Sequence, residues 1–199
     1  MTELLNTKIY NRKNTYLSVI KRENSIFSIV AKRIYVFFTR FRATKGNNDR
    51  YVFSRYYLIR LAKQLGIYNK FNYCFSHSGK YSAVLFSSEL DHISVDIERA
   101  GRRLPKSLRL KIRSLYADLK LSELKIIMIL ESLVKLSIFN PPLNLSKFFS
   151  GINSVQIIAL RDSVFEVNVN SVKVYSKIYT FADLHICITL ESNQFNLSL

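Results

Sequence analysis

Hydrophobic positions recur at helical spacing in three parts of the chain. The first is RYVFSRYYLIRLAKQLG (50–66), whose closing glycine stands where a helix is expected to stop. A second helix is predicted over 105–116, because Pro105 suits the first turn of a helix. A third is predicted from the capping residue Ser122 to about residue 138, before a pair of prolines that would end it.

Alternating apolar and polar positions predict strands elsewhere. KYSAVLFSS (80–88) and HISVDIE (92–98) are predicted strands on either side of a polar turn. Residues 155–190 alternate in four segments, which indicates an antiparallel meander. The first 49 residues contain short apolar clusters between basic pairs, which suit short strands. The order of these elements predicts an α+β fold with an antiparallel C-terminal sheet.

Composition indicates a folded protein with a core. The chain has 199 residues, of which 48% are hydrophobic and 22% charged, so a disordered chain is excluded. Its two cysteines, Cys74 and Cys187, lie in apolar stretches and are expected to be reduced thiols. No signal-like segment and no run of ~18 uncharged apolar residues occurs. We therefore expect a soluble, cytoplasmic protein with no membrane partner.

The charge of the chain predicts an anionic partner. Lys and Arg total 30 against 14 acids, a formal net charge of +16, and the first 70 residues hold 15 basic and 3 acidic side chains. A run of seven cations without an acid follows residue 98. Its members are Arg99, Arg102, Arg103, Lys106, Arg109, Lys111 and Arg113. The run is either a docking patch for an acidic protein or a solvated basic face.

Two pairs of charged residues are candidates for chemistry. Asp96 and Glu98 lie two apart on a predicted strand, so they share a face, and carboxylates held this close need a cation. Magnesium, which binds carboxylate oxygens, would supply that cation. Glu131 and Lys135 are one helical turn apart, at the end of the apolar run 126–130. The alternatives are a solvated strand face and a surface ion pair.

A histidine between two serines is a further candidate. His77 lies between Ser76 and Ser78 in the segment SHSGKYS. Its ring and the neighbouring hydroxyls could donate hydrogen bonds to a phosphate, or the ring could simply be a half-buried histidine at a strand end. The sequence leaves both interpretations open.

Three short segments together resemble the 4'-phosphopantetheinyl transferase superfamily. SHSG (76–79) matches the Ser-His-Ser-Gly strand of that family, DIE (96–98) its Asp-x-Glu strand, and ESLVK (131–135) its Glu-Ser-x-x-Lys helix. The similarity is to the longer, monomeric branch of the family. It implies two similar α/β lobes related by a pseudo-two-fold axis, a shortened basic lobe over 1–90 and a metal-binding lobe over 91–199.

The resemblance also implies an activity. The family moves the 4'-phosphopantetheine arm of coenzyme A onto a serine of an apo acyl or peptidyl carrier protein and releases 3',5'-ADP. Carrier proteins are acidic, so the basic run would face the carrier. The residues implied are Asp96, Glu98 and Glu131 for Mg2+, Glu131 and Lys135 for catalysis, and Ser76, His77, Arg50 and Lys135 for coenzyme A.

Two other interpretations stay open. Ile127 stands where the family has tryptophan and Leu130 where it has lysine, so a degenerate member that binds coenzyme A or the carrier with little transfer is one alternative. A nucleic-acid-binding protein is the other, because basic patches with aromatic residues suit phosphate backbones. The three acids argue against it, because they would repel such a backbone, and we expect no nucleic acid partner.

Overall fold

The chain folds as an α+β protein. A computed structural model describes residues 4–5, 15–21, 49–64, 66, 71–139, 145, 149, 155–181, 183–192 and 195. Within them lie three helices and two antiparallel sheets. The predicted α+β class and the antiparallel C-terminal sheet are confirmed. The chain divides into two compact units, Met1–Glu89 and Leu90–Leu199.

The first unit is a four-stranded sheet with one helix. Its elements are β1 (Leu4–Leu5), β2 (Thr15–Lys21), α1 (Asp49–Gln64), β3 (Asn72–Ser78) and β4 (Tyr81–Ser87). The strands run in the order β1-β2-β4-β3. Helix α1 packs on the sheet through Leu58, which joins Ile20, Val84 and Phe86 in a buried cluster. The helix predicted over 50–66 is confirmed, whereas the apolar clusters at 26–30 and 34–38 lie outside the described residues.

The second unit carries the larger sheet. Its elements are β5 (Ile93–Arg99), α2 (Lys106–Leu115), α3 (Glu123–Lys135), β6 (Val155–Ala159), β7 (Val164–Val169), β8 (Val172–Phe181) and β9 (Leu184–Leu190). The order is β5-β9-β8-β7-β6, so the last four strands form the predicted meander. Asn170 and Ser171 close the β7–β8 hairpin with positive φ angles of 46° and 69°, which suit a two-residue turn.

Helix α3 is the central element of the second unit. The Ser122 hydroxyl accepts a hydrogen bond from the backbone N–H of Lys125 (3.4 Å), as its predicted capping role requires. The helix ends at Lys135, earlier than residue 138, because Leu136 adopts an extended conformation. The helix packs against both β5 and β9, and the apolar residues 126–130 are buried in the core.

Strands β4 and β5 follow one another in the chain but belong to different sheets. β4 pairs with β2 and β3, whereas β5 pairs, among the described strands, with β9 alone, in antiparallel register with Asp96 opposite Cys187. The turn between them therefore coincides with the boundary between the two units. No helix of the described segments combines the length and apolar character that crossing a bilayer demands.

Candidate metal centre

Strand β5 and helix α3 bring the predicted acids to one place. Asp96 and Glu98 point from β5 toward the face that α3 covers, and α3 carries Glu131 in its last turns. Asp96 is only 2% exposed and Glu98 6%, because both faces of this strand are covered. A solvated strand face is therefore wrong for this pair. Buried carboxylates of this kind need cations or hydrogen bonds.

The three carboxylates converge. One oxygen from each of Asp96, Glu98 and Glu131 lies within 4.8 Å of the others. Two oxygens on opposite sides of a bound Mg2+ are ~4.2 Å apart, twice the usual metal–oxygen distance. Oxygens in adjacent positions are ~3 Å apart, so carboxylate rotations that bring the three oxygens closer together would let them share one Mg2+. The donor set, all carboxylate oxygen, is the kind that hard divalent ions prefer.

Two cations already contact the acids. The Lys135 ammonium donates hydrogen bonds to Asp96 Oδ1 (2.6 Å) and to the Val95 carbonyl (3.2 Å). The Arg102 guanidinium donates to Glu98 Oε1. Three carboxylates against two cations leave the cluster with one surplus negative charge when all are ionised. Lys135 thus joins the helix to the strand and is not the simple surface partner of Glu131.

Burial shifts the ionisation of Glu131. The pKa of its carboxyl is raised above the ordinary glutamate value, mainly by burial and then by the charge of Asp96, while Arg102 and Lys135 act in the opposite direction. Keeping Glu131 ionised in the folded protein therefore lowers the free energy of unfolding. A divalent cation among the three acids would reverse this shift, because it favours the ionised form.

Replacing Glu131 by Gln should stabilise the protein at neutral pH in the absence of divalent ions. Because the pKa is raised in the folded state, the native protein holds a proton that the unfolded chain has lost, and wild-type stability falls as the pH rises through that window. The side chain of Glu131→Gln cannot ionise. The Tm of the variant should therefore equal that of wild type at pH values below the ordinary glutamate pKa, and should exceed it by a few degrees at pH values above the raised pKa. Thermal unfolding in EDTA across a pH series measures this. A Tm difference that does not change with pH would contradict it.

A chain of buried hydroxyls holds α3 against the sheet. The Ser132 hydroxyl donates to the Ile129 carbonyl (2.8 Å) and lies 2.6 Å from the Thr189 hydroxyl, which lies 2.7 Å from the Ser176 hydroxyl. All three hydroxyl-bearing side chains are fully buried. Next to them lies Cys187, a free thiol as the sequence predicts, and burial raises its pKa to about 12, so it is protonated. These contacts anchor α3 to β9, the strand that pairs with β5.

Three of the four residues predicted to hold coenzyme A lie in the first unit, and the fourth, Lys135, lies on α3 of the second. Ser76 is buried, and His77 Nδ1 lies 2.9 Å from the hydroxyl of Ser82, which orients the ring. Arg50 lies at the start of α1, and its side chain is outside the described residues. Their role with the coenzyme stays a prediction. The acid cluster belongs to the second unit.

The basic run separates into different environments. Arg102 contacts Glu98, Arg113 pairs with Glu123, and Arg99 lies 3.9 Å from Asp183. Lys106 and Lys111 are exposed on α2. The sequence pattern groups Arg102 with the carrier-facing cations and does not reveal its contact with Glu98. The spacing of four residues between Glu98 and Arg102, across the turn after β5, is the sequence feature that could have indicated this contact.

Comparison with known proteins adds nothing to this geometry. No protein-family model matches the chain, and a search of curated proteins finds no similar sequence. The case for a function therefore depends on the residues described above.

Proposed function

We propose that this protein is a magnesium-dependent 4'-phosphopantetheinyl transferase that acts on coenzyme A and an apo carrier protein. The convergence of Asp96, Glu98 and Glu131, with Lys135 beside them, carries the proposal. Glu131 follows Glu98 by 33 residues in the sequence, and the strand and the helix that carry these acids pack against each other in the second unit. Such a set of buried carboxylates is costly to fold and therefore favours a functional role.

Each of these side chains has a distinct task in the proposed reaction. Asp96, Glu98 and Glu131 would hold the ion, which when bound neutralises the charge of the coenzyme's diphosphate. The Lys135 ammonium would donate hydrogen bonds to a phosphate oxygen. Its side chain is about one-third exposed, so it combines a buried contact with access from solvent.

Glu131 is the proposed general base. A bound cation reverses the raised pKa of the metal-free protein, so Glu131 is an ionised carboxylate at neutral pH and can accept a proton. A carboxylate oxygen of Glu131 would take the proton of the carrier serine hydroxyl. The serine oxygen forms a bond to phosphorus, and the phosphorus–oxygen bond to the leaving 3',5'-ADP breaks.

The finer fold and the coenzyme site are also part of the proposal. Each unit has a helix packed on an antiparallel sheet, which supports two similar lobes related by a pseudo-two-fold axis. We assign Ser76, His77 and Arg50 to the 3'-phosphate of coenzyme A. The Ser82 contact that orients the His77 ring supports this assignment. The protein would act as a cytoplasmic monomer.

Carrier docking would use the exposed lysines of α2. Changing Lys106 and Lys111 to Glu should raise the KM for the carrier about tenfold at low salt and leave the KM for coenzyme A unchanged, because an acidic partner is repelled. The difference should shrink as salt screens charges beyond ~8 Å. Steady-state kinetics with either substrate varied measures both constants. Equal rises in the two KM values would show that these lysines contact the coenzyme instead.

Mass spectrometry of the carrier tests the proposed activity. Incubation with coenzyme A, Mg2+ and an apo carrier should add the phosphopantetheine arm, about 340 Da, to the carrier. Fatty-acid, polyketide and nonribosomal-peptide carriers should be tried in parallel. Carriers that all stay unmodified would contradict transfer.

A second candidate is a degenerate relative that binds coenzyme A or the carrier but transfers little. Leu130, which stands at the position of a family lysine, is fully buried in the core and supplies no cation. Saturable coenzyme A binding without any mass change on the carrier would favour this candidate over the active enzyme.

A further inference from the structure

A cavity in the second unit is lined by arginines and by none of the three triad acids. Its volume is about 450 Å³, within the range of small-ligand pockets. It is formed by the loop after β5, by α2 and by the first turn of α3. Arg102, Arg103 and Arg109 supply its cations, and Leu104 and Leu124 its buried apolar wall.

The lining carries a net positive charge. Glu123 is the acid among its side chains, and it pairs with Arg113 just outside the cavity. The pKa of Glu123 is lowered by its backbone hydrogen bond and by Arg113, so it stays a carboxylate with its own counterion. Arg102 is likewise matched by Glu98. With these partners included, the four arginines (Arg102, Arg103, Arg109 and Arg113) and the two glutamates (Glu98 and Glu123) have a net charge of +2.

The arrangement suits one chemical class of ligand. Guanidinium groups bind phosphate oxygens in pairs, and a phosphate monoester has three terminal oxygens and a charge close to −2, equal and opposite to that of the lining. The cavity also includes Ser122 and Glu123 at the N-terminal end of the 13-residue helix α3, where the Glu123 carboxylate itself offsets the positive end of the helix dipole. Leu104 and Leu124 can contact the apolar body of a small ester.

We propose that this cavity is a binding site for the phosphate monoester of a small molecule, separate from the carboxylate triad. Arg103 and Arg109 hold the phosphate, while Arg102, whose guanidinium also contacts Glu98, closes the cavity on the side of the triad. The proposal does not depend on the transferase function. A ligand in the cavity would contact Arg102, and because Arg102 also contacts Glu98, this one side chain would connect the ligand to the acid cluster.

Calorimetric titration of the full chain with inorganic phosphate tests the site. EDTA is present throughout, so that divalent ions at the triad contribute nothing. The double variant Arg103→Gln/Arg109→Gln should bind phosphate at least about tenfold more weakly than wild type. The matched control, Lys106→Gln/Lys111→Gln, removes the same charge from α2 outside the cavity and should stay within about twofold of wild type.

Two results would overturn the proposal. If phosphate binding weakens equally in both double variants, it depends on the net charge of +16 and not on this cavity. Wild-type protein without saturable phosphate binding would show that no site exists. All four replaced side chains are exposed, so both variants should fold, and circular dichroism with thermal unfolding checks this. Neither result bears on carrier labelling, so the two proposals fail separately.

Discussion

Asp96→Asn should lower the rate of carrier modification by about a thousandfold or more. The substitution keeps the shape of the side chain and removes one of three charges that converge within 4.8 Å. Because Asp96 is almost fully buried, water cannot replace the missing carboxylate. The rate of mass increase of the carrier, at saturating coenzyme A and Mg2+, measures the loss. Thermal unfolding of the variant shows whether the lower rate is due to a missing metal ligand or to an unfolded protein.

Glu166→Gln is the matched control for this variant. Glu166 lies on β7 of the same sheet, pairs with exposed Lys173 (3.1 Å) and is not one of the three converging acids. The same chemical change there should leave the rate within about twofold of wild type. A full rate in Asp96→Asn, or equal losses in the two variants, would contradict a specific role of the triad.

Lys135→Met should destabilise the metal-free protein by ~2–4 kcal/mol, because it removes a hydrogen-bonded cation from a buried carboxylate. The Lys135 ammonium lies 2.6 Å from Asp96 Oδ1, and that side chain is 2% exposed. A loss of this size lowers Tm by ~4–16 °C in a chain of this length. Millimolar Mg2+ should restore part of the Tm, because a divalent ion supplies the missing positive charge.

The double variant Asp96→Asn/Lys135→Met shows whether this interpretation holds. Removing both charges should recover most of the stability lost in Lys135→Met, since position 96 then has no buried carboxylate that needs a cation. Lys111→Met, on the exposed face of α2, is the control and should change Tm little. If Lys135→Met unfolds at the wild-type temperature, the ion pair contributes nothing.

Local sequence signals predicted the elements of the second unit well. The capping serine Ser122 and the apolar run behind it predict α3, and the alternation of 92–98 predicts β5. What they could not show is that α3 covers β5. The polar positions of that strand look solvent-facing by alternation, yet all of residues 93–98 are buried because the strand is covered on both faces.

The pairing of strands is what the sequence leaves undetermined. The hairpin of β3 and β4, turned at Gly79, was not evident because residues 72–78 do not alternate cleanly. The partner of β5 is β9, some 90 residues later, and only the folded chain brings them together. The contact between Arg102 and Glu98 likewise depends on the turn that follows β5.

Equilibrium titration with Mn2+, followed by its electron paramagnetic resonance signal, tests the acid cluster most directly. Mn2+ shares the preference of Mg2+ for oxygen ligands and reports binding without any substrate. Wild-type protein and Glu166→Gln should each bind one ion per chain with saturation, and Asp96→Asn should show no saturable binding. Wild-type protein without a saturable site, or Asp96→Asn with an unchanged one, would contradict a metal centre at Asp96, Glu98 and Glu131.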